Sequence, residues 1–265
     1  MKFPTQLALA LIVSIATTAT ASASEITLEI ENLQGDGGFA FTPFWVGVHD
    51  GSFDVFESGG DSSLLAGITE IAELGDTSVI AQRFLNEVMN GTDMTFAEPN
   101  GPPVFSPGES ASTTINVGDA TTNRFLNYAS MIVPSNDLFV GNDNAIEVFD
   151  AAGNFNGPIV INIFGSSVYD NGSEVNDIAN GPAFVAGIDA TGGAAEGGLV
   201  RPFFTVQPAD SDYLSSIIGT QTAPGPIVTQ AFGAGDQIGR ITITPEPASA
   251  ALLMAAGVVA LRRRR

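Results

Sequence analysis

The chain contains no cysteine. That excludes disulfides and thiolate metal sites, so an exported form must draw its stability from its core or from a bound ion. Basic residues are nearly as scarce. One lysine and eight arginines face 29 Asp and Glu residues. Lys2 and Arg262, Arg263, Arg264 and Arg265 lie at the two ends, which leaves Arg83, Arg124, Arg201 and Arg240 in the body. Phosphate backbones demand basic patches, so nucleic acid is excluded as a partner. An acidic surface stays soluble and attracts divalent cations. Histidine occurs once, as His49. No phosphate loop, dinucleotide fingerprint or GxSxG-type elbow accompanies it. His49-Asp50 therefore lacks the nucleophile and oxyanion site of a hydrolytic triad and reads as a structural turn.

What is present at the ends is addressing material. Lys2, the apolar run 7–16 and Ala21-Ser22-Ala23 form a signal peptide, residues 1–23, cut between Ala23 and Ser24 by signal peptidase. The apolar run is shorter than the roughly 20 residues a spanning helix needs. At the other end stand Pro245, Glu246 and Pro247, then a short apolar run to Leu261, then the four arginines. Arginines hold the far end of such a run on the cytoplasmic side. This order resembles the PEP-CTERM sorting signal. The resemblance implies recognition by an exosortase, transient anchoring in the inner membrane through the C-terminal helix, and delivery to the cell envelope or an extracellular matrix.

Between the ends lie roughly 220 residues, a size that one β-sandwich reaches. Residues 25–33 alternate, with Ile26, Leu28 and Ile30 on one face, which predicts a half-buried strand. The aromatic run 39–48 is β-prone but is interrupted by Pro43. Further strands are expected at 111–117, 124–133, 145–149, 158–168, 200–206, 226–232 and 237–244. Two helical excursions interrupt them. Ser62 to Leu74 carries an apolar stripe of Leu64, Leu65, Ile68, Ile71 and Ala72, with Gly75 as its stop. Thr77 to Val88 places Val79, Ile80, Phe84, Leu85 and Val88 inward, with Asp76 or Thr77 as its cap. Short strands joined by Gly, Asn and Asp turns predict an all-β-dominated chain, an antiparallel β-sandwich with these two helical excursions.

One stretch has chemical potential. The runs 130–133 and 159–164 each lead into an acidic turn, Pro134-Ser135-Asn136-Asp137 and Tyr169-Asp170-Asn171-Gly172-Ser173-Glu174. If the turns share a rim, Asp137, Asp170 and Glu174 meet. Calcium takes six to eight oxygen ligands, and carboxylates crowded without a cation raise one another's pKa. The spacing is not that of an EF-hand loop, and taken alone it also suits solvated turn acids. Asp177 and the Leu138 carbonyl are further oxygen donors in the same stretch.

Four segments together carry a resemblance. They are TPFWVGVHDGSFDVFESG (42–59), AELGD (72–76), MIVPSNDLFVG (131–141) and FGSSVYDNGSEVND (164–177). In this order they resemble the spondin N-terminal domain, over nearly all of residues 24–244. The resemblance implies an antiparallel sandwich with one calcium, held by carboxylates at the positions of Asp137, Asp170 and Glu174. Asn136 stands where the family has proline, and Glu174 where it has Asp. The implied role is an exported, non-catalytic adhesion or extracellular-matrix module, with an exopolysaccharide or cell-surface partner. The alternatives are an envelope hydrolase or carbohydrate-binding protein, and a calcium-dependent membrane-associating domain.

Overall fold

The computed structural model describes residues 25–205 and 208–246. The predicted cleavage site at Ala23 and Ser24, and the sorting residues from Pro247 to Arg265, lie outside that range. In chain order the strands are β1 (Glu25–Asn32), β2 (Ala40–Phe41), β3 (Phe44–His49), β4 (Thr92–Phe96), β5 (Ser110–Asn116) and β6 (Phe125–Val133). Then come β7 (Leu138–Gly141), β8 (Ile146–Glu147), β9 (Ile159–Phe164), β10 (Val168–Asp170), β11 (Arg201–Pro202) and β12 (Gln237–Pro245). The helices are α1 (Ile68–Leu74), α2 (Ser78–Glu87) and α3 (Pro208–Ile217).

The strands form two antiparallel sheets. The smaller runs β5-β1-β12-β9, and the larger runs β11-β10-β7-β6-β3-β4, with β2 and β8 also paired to β6. The first and last strands are neighbours: Leu28 faces Ile243 and Ile30 faces Ile241. Alternation along β1 sends Ile26, Leu28 and Ile30 into the space between the sheets, where they meet Phe44, Val46, Leu126, Tyr128 and Val140 of the larger sheet. The expected sandwich is formed.

The centre of the larger sheet, β3, β6 and β7, is buried on both faces. Behind it a second apolar layer gathers Trp45, Phe53, Phe56, Phe139 and Ala129 against Ile68 and Ile71 of α1 and Ile80 and Phe84 of α2. This is why β3 carries no polar face: all six of its residues are buried. Trp45 packs edge-on to Phe84, and its indole N–H donates to Asp93 at 3.0 Å.

Several elements differ from the sequence expectation. The single helix expected from Ser62 to Leu74 is two pieces, a 3-10 turn at Ser62–Leu64 and α1. Leu64, placed in the stripe by spacing, is 76% exposed. The break is Gly67 (φ 105°), where a Cβ would stand 2.5 Å from the Ile80 backbone nitrogen, so α2 approaches there too closely for any side chain. The strand expected over 158–168 changes sheets. β9 belongs to the small sheet, Gly165–Ser167 turn as a 3-10 corner, and β10 enters the large one. The Gly165 and Ser166 N–H groups fix that corner on the Asp236 and Ala234 carbonyls, each at 2.8 Å. Among the described residues of the strand expected over 200–206, Arg201–Pro202 alone form a strand, and 226–232 forms none, bridging at Gln221↔Ile227. Strands β4 and β7 and helix α3 were not expected. The N–H of Gly75 does close α1, on the Ile71 carbonyl at 2.8 Å, and Asp76 accepts the Ser78 N–H at 2.8 Å at the start of α2.

Candidate metal-binding rim

β6 ends in a cis Val133–Pro134 peptide and the turn that contains Ser135, Asn136 and Asp137. The Ser135 hydroxyl donates to the Ile132 carbonyl (2.6 Å) and accepts the Leu138 N–H (3.2 Å), which folds the turn back into β7. β10 pairs with β7 so that Asp170 lies opposite Leu138. The second acidic turn therefore leaves the sheet beside the first, and the two acidic turns share one rim. They arrive there by a route the sequence did not show, since β9 is in the other sheet.

Asp137 joins the turns. Its Oδ2 accepts the Ser173 N–H (2.9 Å), the Ser173 hydroxyl (3.2 Å) and the Glu174 N–H (3.0 Å). Its backbone carbonyl accepts the Asn171 N–H at 3.1 Å. Asp137 and Asp170 are fully buried. Burial, and after it the nearby Asp170 charge, push the Asp137 carboxyl well above the usual carboxylate range, against the donors from Glu174 and Ser173. Asp170 itself is compensated. Its Oδ1 accepts the Gly172 N–H (2.8 Å), and its Oδ2 accepts Asn176 Nδ2 (2.9 Å) and Arg201 Nη2 (3.1 Å). Arg201 faces Asp170 across the β10–β11 pair.

Glu174 is drawn a different way. Its Oε2 accepts Asn136 Nδ2 at 3.3 Å, so the two positions that depart from the spondin-type pattern bond to each other. Its carboxylate lies over Gly193, where a Cβ would come within 2.2 Å of Glu174 Cδ. Burial raises its pKa, as does Glu73, while the Asn136 bond opposes them. Asn136 also donates to the Asn180 carbonyl (2.9 Å), and its Oδ1 accepts the Tyr213 hydroxyl (2.7 Å) and the Asp177 N–H (3.1 Å). Tyr213, from α3, is buried among the three acids, and burial drives its phenol pKa strongly upward.

The expected set of three donors is therefore altered. Asp137, Asp170 and Glu174 share the rim, but among the described residues no group of three His, Cys, Asp or Glu side chains is gathered to hold a metal by itself. Arg201 engages Asp170 and Asn136 diverts Glu174. Asp177 caps its own turn instead, accepting the Ala179 N–H (2.9 Å) and Asn180 Nδ2 (2.6 Å), and these donors lower its pKa. Leu138 lies in the β7–β10 ladder. The oxygens left over are others: Asp137 Oδ1, Asn171 Oδ1 and Asn176 Oδ1 are buried with no hydrogen-bond partner. Asn171 and Asn176 were missed because neutral amides carry no charge signal. Their sequence clue was adjacency to Asp170 and Glu174. Arg201 and Tyr213 come from distant segments, and nothing in the acidic stretch foretold them.

His49 is fully buried, with both ring nitrogens engaged. Nδ1 accepts the Gly51 N–H at 3.0 Å, which places the proton on Nε2, and Nε2 donates to Asn127 Oδ1 at 2.6 Å. Burial lowers the His49 pKa, against Asn127, Asp50 and Asp54. The unfolded chain thus takes up this proton first as pH falls below about 6.5. The His49 contribution to stability is whole above that pH and declines as pH falls toward the lower folded value. Denaturation midpoints measured from pH 7.5 to 5.5 should fall in the native chain and flatten in His49→Gln; parallel slopes would exclude His49 as the source.

At the C-terminal side, Pro245 is the last residue of β12 and pairs with Ile26. Glu246 Oε1 accepts the hydroxyls of Thr27 and, at 2.8 Å, Thr114. Two residues of the Pro-Glu-Pro motif are thus held against the small sheet. Among the described residues no helix is long and apolar enough to cross a membrane, and the predicted C-terminal anchor lies outside them. No protein-family model matches this chain, and neither does any curated protein.

Proposed function

We propose that the chain is an exported, non-catalytic adhesion or matrix module of spondin-like type, sorted by an exosortase, whose acidic rim is rigidified by calcium. The observation that carries the calcium reading is the set of buried, unpartnered oxygens on Asp137, Asn171 and Asn176. Oxygen donors of mixed carboxylate and amide type suit calcium, and an unpaired buried oxygen is costly without a partner. Asp137, Asn171 and Asn176 would hold the ion, with Asp170 and Glu174 supplying negative charge close by. The ion would contribute charge neutralisation, and the chain's own residues do the rest: Asp137 ties turn to turn and Arg201 balances Asp170. The engagement of both His49 nitrogens supports a role without catalysis.

Calcium binding stabilises only the folded chain, by about 2.7 kcal/mol at a hundredfold excess over Kd. The melting temperature should therefore rise by several degrees from chelator to millimolar calcium, with a binding isotherm by calorimetry. No heat of binding and no shift would remove the ion from the proposal. Pull-down of exopolysaccharide and cell-surface material, with and without calcium, tests the adhesive role.

A carbohydrate-binding reading has one observation in its favour. A cavity of about 190 Å³ is lined by Gln34, Gln230, Asp236 and Gln237 beside Phe232 and Leu33. Amides and a carboxylate next to apolar surface match a saccharide's alternation of hydroxyls and C–H faces. A glycan array on the native chain and on Gln230→Ala decides it: binding lost in the variant places the sugar here.

A further inference from the structure

The two sheets end in four strands, of which two are protected against pairing and a third has a wholly polar outer face; β2 and β8 are two-residue strands beside β6. β4 carries Asp93, β11 is two residues long and contains Pro202, and β5 presents Ser110, Ser112, Thr114 and Asn116 outward. β9 has none of these devices. Its sequence, Ile159-Val160-Ile161-Asn162-Ile163-Phe164, has no charge and no proline, and β12 is its single strand partner. Val160 and Phe164 are exposed on the outer face, at 53% and 36%. Ile159 and Ile161 face the core yet are only partly buried, since no strand lies beyond them.

We propose that β9 is a self-pairing edge through which two copies of the chain form a weak, two-fold symmetric dimer with a continuous eight-stranded sheet. Directly opposed residues in an antiparallel pair share a face, so a two-fold pairing of β9 must be centred on a residue rather than between two. Centring on Asn162 sets Val160 against Phe164 of the second copy, Asn162 against its twin, and Ile161 against Ile163. Apolar meets apolar on both faces, and amide meets amide at the axis. Asn162 Oδ1 accepts Gln237 Nε2 at 2.9 Å, and its own NH2 has no partner among the described residues. The pairing also covers the partly buried Ile159 and Ile161.

Charge points to the same place. The chain carries a net charge of −20, so two copies repel over most of their surface and approach at least cost along an uncharged strip. A six-residue seam is smaller than the interfaces of stable complexes, which makes this a dimer of high local concentration, as at a matrix or cell surface. The proposal does not rest on the calcium reading.

The test uses the full chain, expressed with its own leader and purified after processing. Light scattering during gel filtration should show a mass rising from one chain toward two between about 1 and 200 μM, more steeply as salt screens the repulsion. Val160→Lys should weaken the dimer at least about tenfold and leave the melting temperature unchanged, because that side chain is half exposed. Since the chain has no cysteine, Asn162→Cys supplies one thiol that meets its twin at antiparallel-pair distance, which suits a disulfide. It should cross-link on mild oxidation, while Ser112→Cys on the β5 edge should not. A mass fixed at one chain, with equal slow cross-linking of both variants, would overturn the proposal. So would a dimer that cross-links through Ser112→Cys.

Discussion

Asp137→Ala should melt roughly 10 °C below the native chain, the largest loss expected from any single rim substitution. Its Oδ2 accepts two backbone N–H groups and a hydroxyl from Ser173 and Glu174. Alanine leaves the buried Glu174 N–H without an acceptor, at about 1–3 kcal/mol, and strands the partly buried Ser173 donors at less. The second acidic turn then loses its tie to the first. Asp137→Asn separates this structural task from ion binding. It keeps an acceptor oxygen for the same donors and removes a charge that burial and Asp170 both disfavour. In chelator it should melt at or above the native temperature, and it should show no stabilisation by calcium. If Asp137→Asn gains as much from calcium as the native chain does, Asp137 is not a ligand.

Arg201→Gln has the second largest expected effect, and its sign depends on the ion. Asp170 is fully buried and is paired to Arg201 Nη2 at 3.1 Å. Removing one partner of a buried pair costs about 3–5 kcal/mol; Arg201 is 27% exposed, so about 2–3 kcal/mol is the better expectation. In chelator the variant should therefore melt well below the native chain. Calcium should restore most of that loss, because a cation at the rim replaces the missing guanidinium charge beside Asp170. The calcium-induced rise in melting temperature should be larger in Arg201→Gln than in the native chain, as read by matched thermal scans. Equal rises in the two proteins would mean that Asp170 is electrostatically remote from any bound ion.

The class of fold was legible because it rests on alternation, which is local. Ile26, Leu28 and Ile30 announce a half-buried strand without knowledge of any partner. The meeting of Asp137 with the second turn was also legible, as two apolar runs ending in acids. What alternation cannot carry is sheet membership. The run 158–168 looks continuous, yet Gly165 turns it from one sheet into the other. Helix α1 begins late because of a close approach by Ile80, twelve or more residues away in the chain. β3 hid a third layer, since a strand buried on both faces reads simply as apolar. At the rim, charge pointed to three acids, but Asn136, Asn171, Asn176, Arg201 and Tyr213 decide which oxygens remain available. Their importance comes from bonds between segments up to 102 residues apart, and no local pattern encodes those.

The pairing of β1 with β12 brings the chain's entry and exit to one point, where the Glu246 N–H donates to the Glu25 carbonyl at 3.1 Å. Tension drawn through residues 25 and 246 in opposite directions would therefore peel these two strands apart one rung at a time, rather than shear them along their length. The domain would act as a mechanical fuse: the small sheet opens first, at modest force, while the larger sheet and its rim carry no load until β1 and β12 have separated.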